Sequence, residues 1–284
     1  MKMLLLASVT CFLLLKPSAA QQQGYGHLIG MNGPAKLVRY ESAEVIRHQD
    51  GYDIGPRYLY SQSEVSDDGT KATFTSYRPD GTVLSRQVNT YENGKSKESI
   101  FYDSSGRIKR HHKIFYHNEG MRIEGVQYDE SGSVVSREVE NYGKGMQRID
   151  SIITDGQGQT KEKSFSQKGQ NGCYSETRIK YLNGKEASRQ VTSCRADRTL
   201  GNERRYYNAD GTLKERCVVT YEGGGISEMA WYDTAGTLLK KDSFMREYDS
   251  HGNLIKEIFW EWTPQTGKPE PVRVTYIGIT YDDQ

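Results

Sequence analysis

Through most of this 284-residue chain, side chains alternate with a period of two. After Gly236, Leu238, Lys240, Asp242 and Phe244 fall on one side of an extended segment, and Leu239, Lys241, Ser243 and Met245 on the other. A helix would need an apolar stripe at i, i+3, i+4 and i+7, and the recurring glycines would interrupt it, so the pattern predicts strands. Residues 232–256 state the governing rule twice: a tyrosine closes a strand, Asp and two small or polar residues begin a reversal, Gly completes it, and an alternating strand follows. In Tyr248-Asp249-Ser250-His251-Gly252 the carboxylate can accept backbone N–H bonds across the turn, while Gly alone takes φ > 0 without a Cβ clash. This suits a type I turn followed by a left-handed residue and a bulge.

The rule repeats. Tyrosines precede turns at Tyr77, Tyr91, Tyr102, Tyr116, Tyr128 and Tyr142, and again at Tyr207, Tyr221, Tyr232 and Tyr248, with long-turn members 25 or 26 residues apart. Such a period marks a repeat architecture whose units cannot bury their faces alone. Each period holds two strands and two turns: YDSSG (102–106) opens RIKRHHKIFY, HNEG (117–120) returns it as MRIEGVQY, and YDESG begins the next. The expected fold is all-β, an antiparallel repeat meander forming a single extended sheet or open shell. The tyrosine rings are expected to lie over neighbouring turn glycines as an aromatic ledge. Residues 76–257 carry the repeats; 21–75 and 258–284 repeat poorly and are expected to cap the two ends of one domain.

Composition narrows the setting. Residues 1–20 combine Lys2, an apolar run over 3–15 and Ser18-Ala19-Ala20, the layout of a signal peptide cleaved after Ala20. The run is short of the ~20 residues that span a bilayer, so the expectation is a secreted or periplasmic protein with no membrane insertion. Without Lys2 and Lys16, 36 basic residues face 37 acidic ones, which argues against a nucleic-acid partner. A hydrophobic share of 35% and a mean hydropathy of −0.78 leave too little aliphatic material for one thick core, and favour a thin sheet.

Cysteines appear where the repeat weakens. Asn183-Gly184 is a two-residue hairpin turn that sets residues 182 and 185 opposite each other, and the same register carried outward sets Cys173 opposite Cys194. A Cys173–Cys194 disulfide is expected, with Cys217 left free; a Cys194–Cys217 bridge is the rival. Nothing around Cys217 in CVVTY would lower a thiol pKa.

FYDSSGRIKR (101–110) and EYDSHGNLIKE (247–257) resemble the YD repeats of bacterial Rhs-type proteins. GPAKLVR (33–39) and PVRVTYIGITY (271–281) extend the resemblance to small secreted YD-repeat proteins without a toxin domain. The resemblance implies a β shell used for binding at the cell surface; its motif is structural, so no functional residue is carried over. Other candidates are few. His111 and His112 are adjacent on a strand and point to opposite faces, so they do not share a metal. Asp67-Asp68 reads as a turn and Asp282-Asp283 as a terminus. Trp231, Trp260 and Trp262 would form a glycan platform if the meander brought them together. The expected role is therefore non-catalytic, structural or binding, at the cell envelope, with a protein or glycan partner and neither metal nor cofactor. The alternative is a glycan-processing enzyme using carboxylates near the tryptophans, whose separation sequence alone does not give.

Overall fold

The computed structural model describes residues 30–144, 147–168, 174–194, 202–222 and 225–281. Ala20, Cys173 and Asp282-Asp283 lie outside them. Strands occupy β1 (Ala35–His48), β2 (Gly51–Val65), β3 (Lys71–Tyr77), β4 (Val83–Glu92), β5 (Lys95–Asp103), β6 (Ile108–His117), β7 (Arg122–Tyr128), β8 (Val134–Tyr142) and β9 (Arg148–Asp155). They continue as β10 (Thr160–Lys168), β11 (Tyr174–Leu182), β12 (Lys185–Cys194), β13 (Asn202–Asn208), β14 (Leu213–Glu222), β15 (Gly225–Tyr232), β16 (Leu238–Tyr248), β17 (Leu254–Trp262) and β18 (Glu270–Tyr281).

Every strand pairs antiparallel with its predecessor and successor, as the alternation predicts, but the sheet does not stay open. β1 also pairs with β18, Val38 standing opposite Ile279 and Ser42 opposite Thr275, so the meander closes into an 18-stranded barrel. The expectation of an extended sheet or open shell with capped ends is corrected here. The two atypical ends are the seam. They carry two buried apolar clusters: Ala35, Val38, Val65, Ala72 and Ile277 form one, and Ala43, Ile258 and Val274 the other. Pairing the ends buries both clusters and removes both sheet edges, a better outcome than a cap for strands this apolar. Eighteen strands at about 4.8 Å spacing give a girth of roughly 86 Å across the strands, and closed sheets of this strand number enclose solvent instead of a packed core.

The turns follow the predicted chemistry. Asp103 Oδ1 accepts the N–H groups of Ser105 at 2.9 Å and Arg107 at 3.1 Å, and Gly106, at φ 83°, donates its N–H to the Asp103 carbonyl. Asp129, Asp155, Asp233 and Asp249 repeat this arrangement. The tyrosines do something other than expected. No atom approaches within 4 Å of where a Cβ would stand on Gly106, Gly132 or Gly236, so no ring lies over those glycines. Instead, a register shift falls at Tyr77, Tyr91, Tyr102, Tyr128, Tyr142, Tyr207, Tyr221, Tyr232 and Tyr248. Cations from adjoining strands cover several of these rings, Arg86 over Tyr102 at 5.1 Å and Arg216 over Tyr232 at 4.5 Å.

The hairpin expected to carry the disulfide contains one of these bulges. Leu182 does face Lys185, but the register shifts between Lys180 and Tyr181, after which Lys180 faces Ser188 and Glu176 faces Thr192. The expected Cys173–Cys194 pairing falls on Cys173, which lies outside the described residues. Cys217 is free and buried.

Candidate functional site: the inner wall

Alternation gives the barrel two unlike faces. On β10, Glu162, Ser164 and Ser166 turn to one face and Lys161, Lys163 and Phe165 to the other; Ser164 is 3% exposed and Phe165 37%. Following Ser164 through its cross-strand partners Ser151 and Arg178, and on around the ring, keeps to the less accessible face. Ser63, Ala72, Asn89, Ser99, Cys217, Val219 and Asp242 lie on it, all buried and mostly small, as a concave wall demands. This is the inner wall, and two charged constellations stand on it.

The first spans β8 to β11. Arg148 places one guanidinium nitrogen 3.1 Å from Glu140 Oε1 and the other 2.7 Å from Glu176 Oε1, reaching past β10 to do so. Arg178 lies 3.3 Å from Glu162 and 3.4 Å from Glu176, and the Tyr142 hydroxyl donates to Glu140 at 2.9 Å. Burial, and then the neighbouring Glu140, hold the Glu138 carboxyl above its ordinary range. Burial and the same carboxylate raise the Tyr142 phenol.

The second spans β13 to β17. Cys217 is flanked across its strands by Arg204 and Trp231, and Trp231 by Lys240. Lys240 Nζ lies 5.3 Å from the Trp231 ring centre, 3.2 Å from Asp242 Oδ1 and 2.8 Å from Glu261 Oε1. Asp242 and Glu261 are direct cross-strand partners. Asp242 is 7% exposed and its Oδ1 makes no hydrogen bond, the ammonium lying off line; burial raises its carboxyl pKa and Lys240 offsets this only in part. Burial likewise pushes the Cys217 thiol up to about 11, which leaves it a packing residue.

The barrel divides the predicted aromatic platform. Trp231 lines the inner wall; Trp260 and Trp262, paired with Ser243 and Lys241, face outward. Trp260 is met edge-on by Tyr52 at 5.7 Å, where the β1–β2 hairpin turns back over the outer wall. His111 and His112 point to opposite faces: His111 contacts Glu98 at 2.5 Å, and burial, then His111, pull the His112 pKa down. Asp68 accepts the Thr70 N–H, which holds its turn, and Asp67 pairs with Lys36. Among the described residues no cluster of three metal-ligating side chains occurs. Sequence reading put Lys240 and Asp242 on one strand face but had no means of setting Glu261 opposite them, or Arg148 between Glu140 and Glu176.

No protein-family model matches the chain, and the comparison with curated proteins finds no match. Solved structures align over most of it, among them three bacterial proteins. A porin-like protein from Bacteroides uniformis is 11% identical, with 87% of this chain and 97% of that one covered and a TM-score of 0.44. A DUF1329 family protein from Desulfovibrio piger is 11% identical over 88% and 87% of the two chains, with a TM-score of 0.26. A putative outer membrane lipoprotein-sorting protein domain from Vibrio parahaemolyticus is 10% identical over 88% and 85%, also at 0.26. Likenesses this distant carry no argument about role. The resemblance to Rhs-type YD-repeat proteins is corrected: no family model supports it, and the repeats build a closed barrel in place of the shell it implied.

Proposed function

We propose that this chain is an exported, water-soluble barrel that binds a glycan on its inner wall and performs no chemistry on it. The observation that carries the reading is the polarity of both faces. A membrane barrel needs an outward apolar band ~25 Å tall, and a Lys or Arg at mid-depth costs ~2–4 kcal/mol. Here the outward residues of β6 include Lys109, His111 and Lys113, and those of β10 Lys161 and Lys163. Water on both sides suits a carrier or scaffold at the cell envelope. Within the inner wall, Trp231 offers an aromatic ring beside the ammonium of Lys240 and the carboxylates of Asp242 and Glu261, groups that together stack on a sugar ring and bond its hydroxyls.

A glycan array on the mature protein tests this, with Trp231→Ala as the variant. Retention should fall at least tenfold in the variant while Trp262→Ala retains its ligands; equal retention by all three proteins sinks the reading. One observation favours a second reading. Asp242 and Glu261 face each other across neighbouring strands, and a carboxyl raised by burial with a second carboxylate beside it suits the general acid of a glycosidase pair. Turnover of any polysaccharide, lost in both Asp242→Asn and Glu261→Gln, would replace binding with hydrolysis.

A further inference from the structure

A cleft of about 540 Å³ opens at one rim of the barrel, between the β9–β10 and β11–β12 turns, lined by Gln159, Thr160, Lys163, Tyr181, Asn183 and Gly184. We propose that this cleft binds an acidic saccharide, its ring against Tyr181 and its carboxylate on Lys163. The proposal does not rest on the inner-wall reading, since Lys163 belongs to the outer face.

In four of the turns a side-chain hydroxyl is tied to the turn aspartate: Thr82 to Asp80, Ser105 to Asp103, Ser131 to Asp129 and Thr212 to Asp210. The turn at residues 155–159, DGQGQ, has no hydroxyl, and the Asp155 carboxylate takes the N–H groups of Gln157 and Gln159 together with the Lys161 ammonium. The Gln159 side-chain amide makes no hydrogen bond among the described residues. Asn183, at φ 51°, is the left-handed residue of the opposite turn, and its side-chain amide makes no hydrogen bond among the described residues. Lys163 forms no ion pair among the described residues either; its ammonium lies 5.9 Å from the centroid of the Tyr181 ring. The cleft therefore gathers two amides, a hydroxyl, an aromatic ring and a cation without a counter-ion, at a volume within the ~300–1,000 Å³ of small-molecule sites. Sugar hydroxyls match the amides and Thr160, a pyranose face matches the ring, and the unpaired ammonium selects a ligand that carries negative charge.

Isothermal titration of the mature protein with tetragalacturonic acid and with its fully methyl-esterified form isolates the charge. The acid should bind at least tenfold more tightly than the ester, and added salt should narrow the gap. Lys163→Gln should bring the acid down to the level of the ester, Lys163→Arg should hold most of the difference, and Tyr181→Ala should weaken both forms at least tenfold. Equal affinities for acid and ester, no binding of either at millimolar concentration, or wild-type binding in both Lys163→Gln and Tyr181→Ala would overturn the proposal. Loss of acid binding in Trp231→Ala with Tyr181→Ala unaffected would also overturn it, and would assign the saccharide to the inner wall.

Discussion

At the scale of single residues the chain depends on its turn aspartates. Side-chain and backbone donors from Ser105 and Arg107 hold the Asp103 carboxyl at about 2; donors from Ser66 and Thr70 do the same for Asp68. Asp80, Asp129, Asp155, Asp210 and Asp249 are lowered as well, Asp249 because its Tyr281 and backbone donors outweigh burial. A carboxylate lowered in the folded state binds fewer protons there than in the unfolded chain. Its stabilisation is complete above the unfolded value of about 4 and is lost as pH falls towards 2. Glu138 and Asp242, raised by burial, act in the opposite sense, but they are two against seven. The urea midpoint should therefore drop steadily between pH 5 and about pH 2; a midpoint that held or rose would show that the turn carboxylates do not govern acid stability. These turns were legible in the sequence because their chemistry is local, an acceptor and a glycine within five residues.

At the scale of strands and hairpins the bulges decide what sequence could foretell. Strict alternation predicts faces correctly within one strand, as for Lys240, Asp242 and Phe244, which do share the inner wall. Each bulge breaks the count. One at Lys180/Tyr181 moves the β11–β12 pairing on by one residue, so that Lys180 faces Ser188 and Glu176 faces Thr192. The turn motif announces a bulge, but how far it moves the pairing depends on how two strands meet, which one strand read alone does not contain. Glycines in the turns allow a test at this scale. A Cβ on Gly156 would stand 2.1 Å from the Val134 carbonyl oxygen, a backbone atom that cannot step aside, whereas Gly158 at φ 80° has open space. Gly158→Ala should lose about 1–2 kcal/mol to left-handed strain alone. Gly156→Ala should lose more, because the β8–β9 register must shift to admit the methyl group. Urea melts of the two variants give the order, and a smaller loss at Gly156 would mean that the turn relaxes freely.

For the molecule as a whole the deciding event is closure, which sequence did not disclose. Val38 and Ile279 are neighbours in space but lie at opposite ends of the chain, and no local pattern names a partner so remote. What sequence did contain was the unusual character of the two ends, whose departure from the repeat falls where the sheet meets itself. Closure also explains how a chain of 35% hydrophobic residues holds together: with no edge to protect, a single sheet needs apolar packing chiefly at its seam, where Val38 and Val274 are fully buried. That places stability and solubility in the same few residues. Val38→Asp would set an unpaired charge in the seam cluster, a cost of several kcal/mol against a typical total of about 5–15. The strand pair β1–β18 should then part, and two long edges should recruit other molecules. Light scattering should find oligomers of Val38→Asp under conditions where Phe165→Asp, on the outer wall and 37% exposed, stays monomeric. If Val38→Asp instead remains monomeric and unfolds at the wild-type urea midpoint, the seam does not hold the barrel shut, and its stability must come from the turns alone.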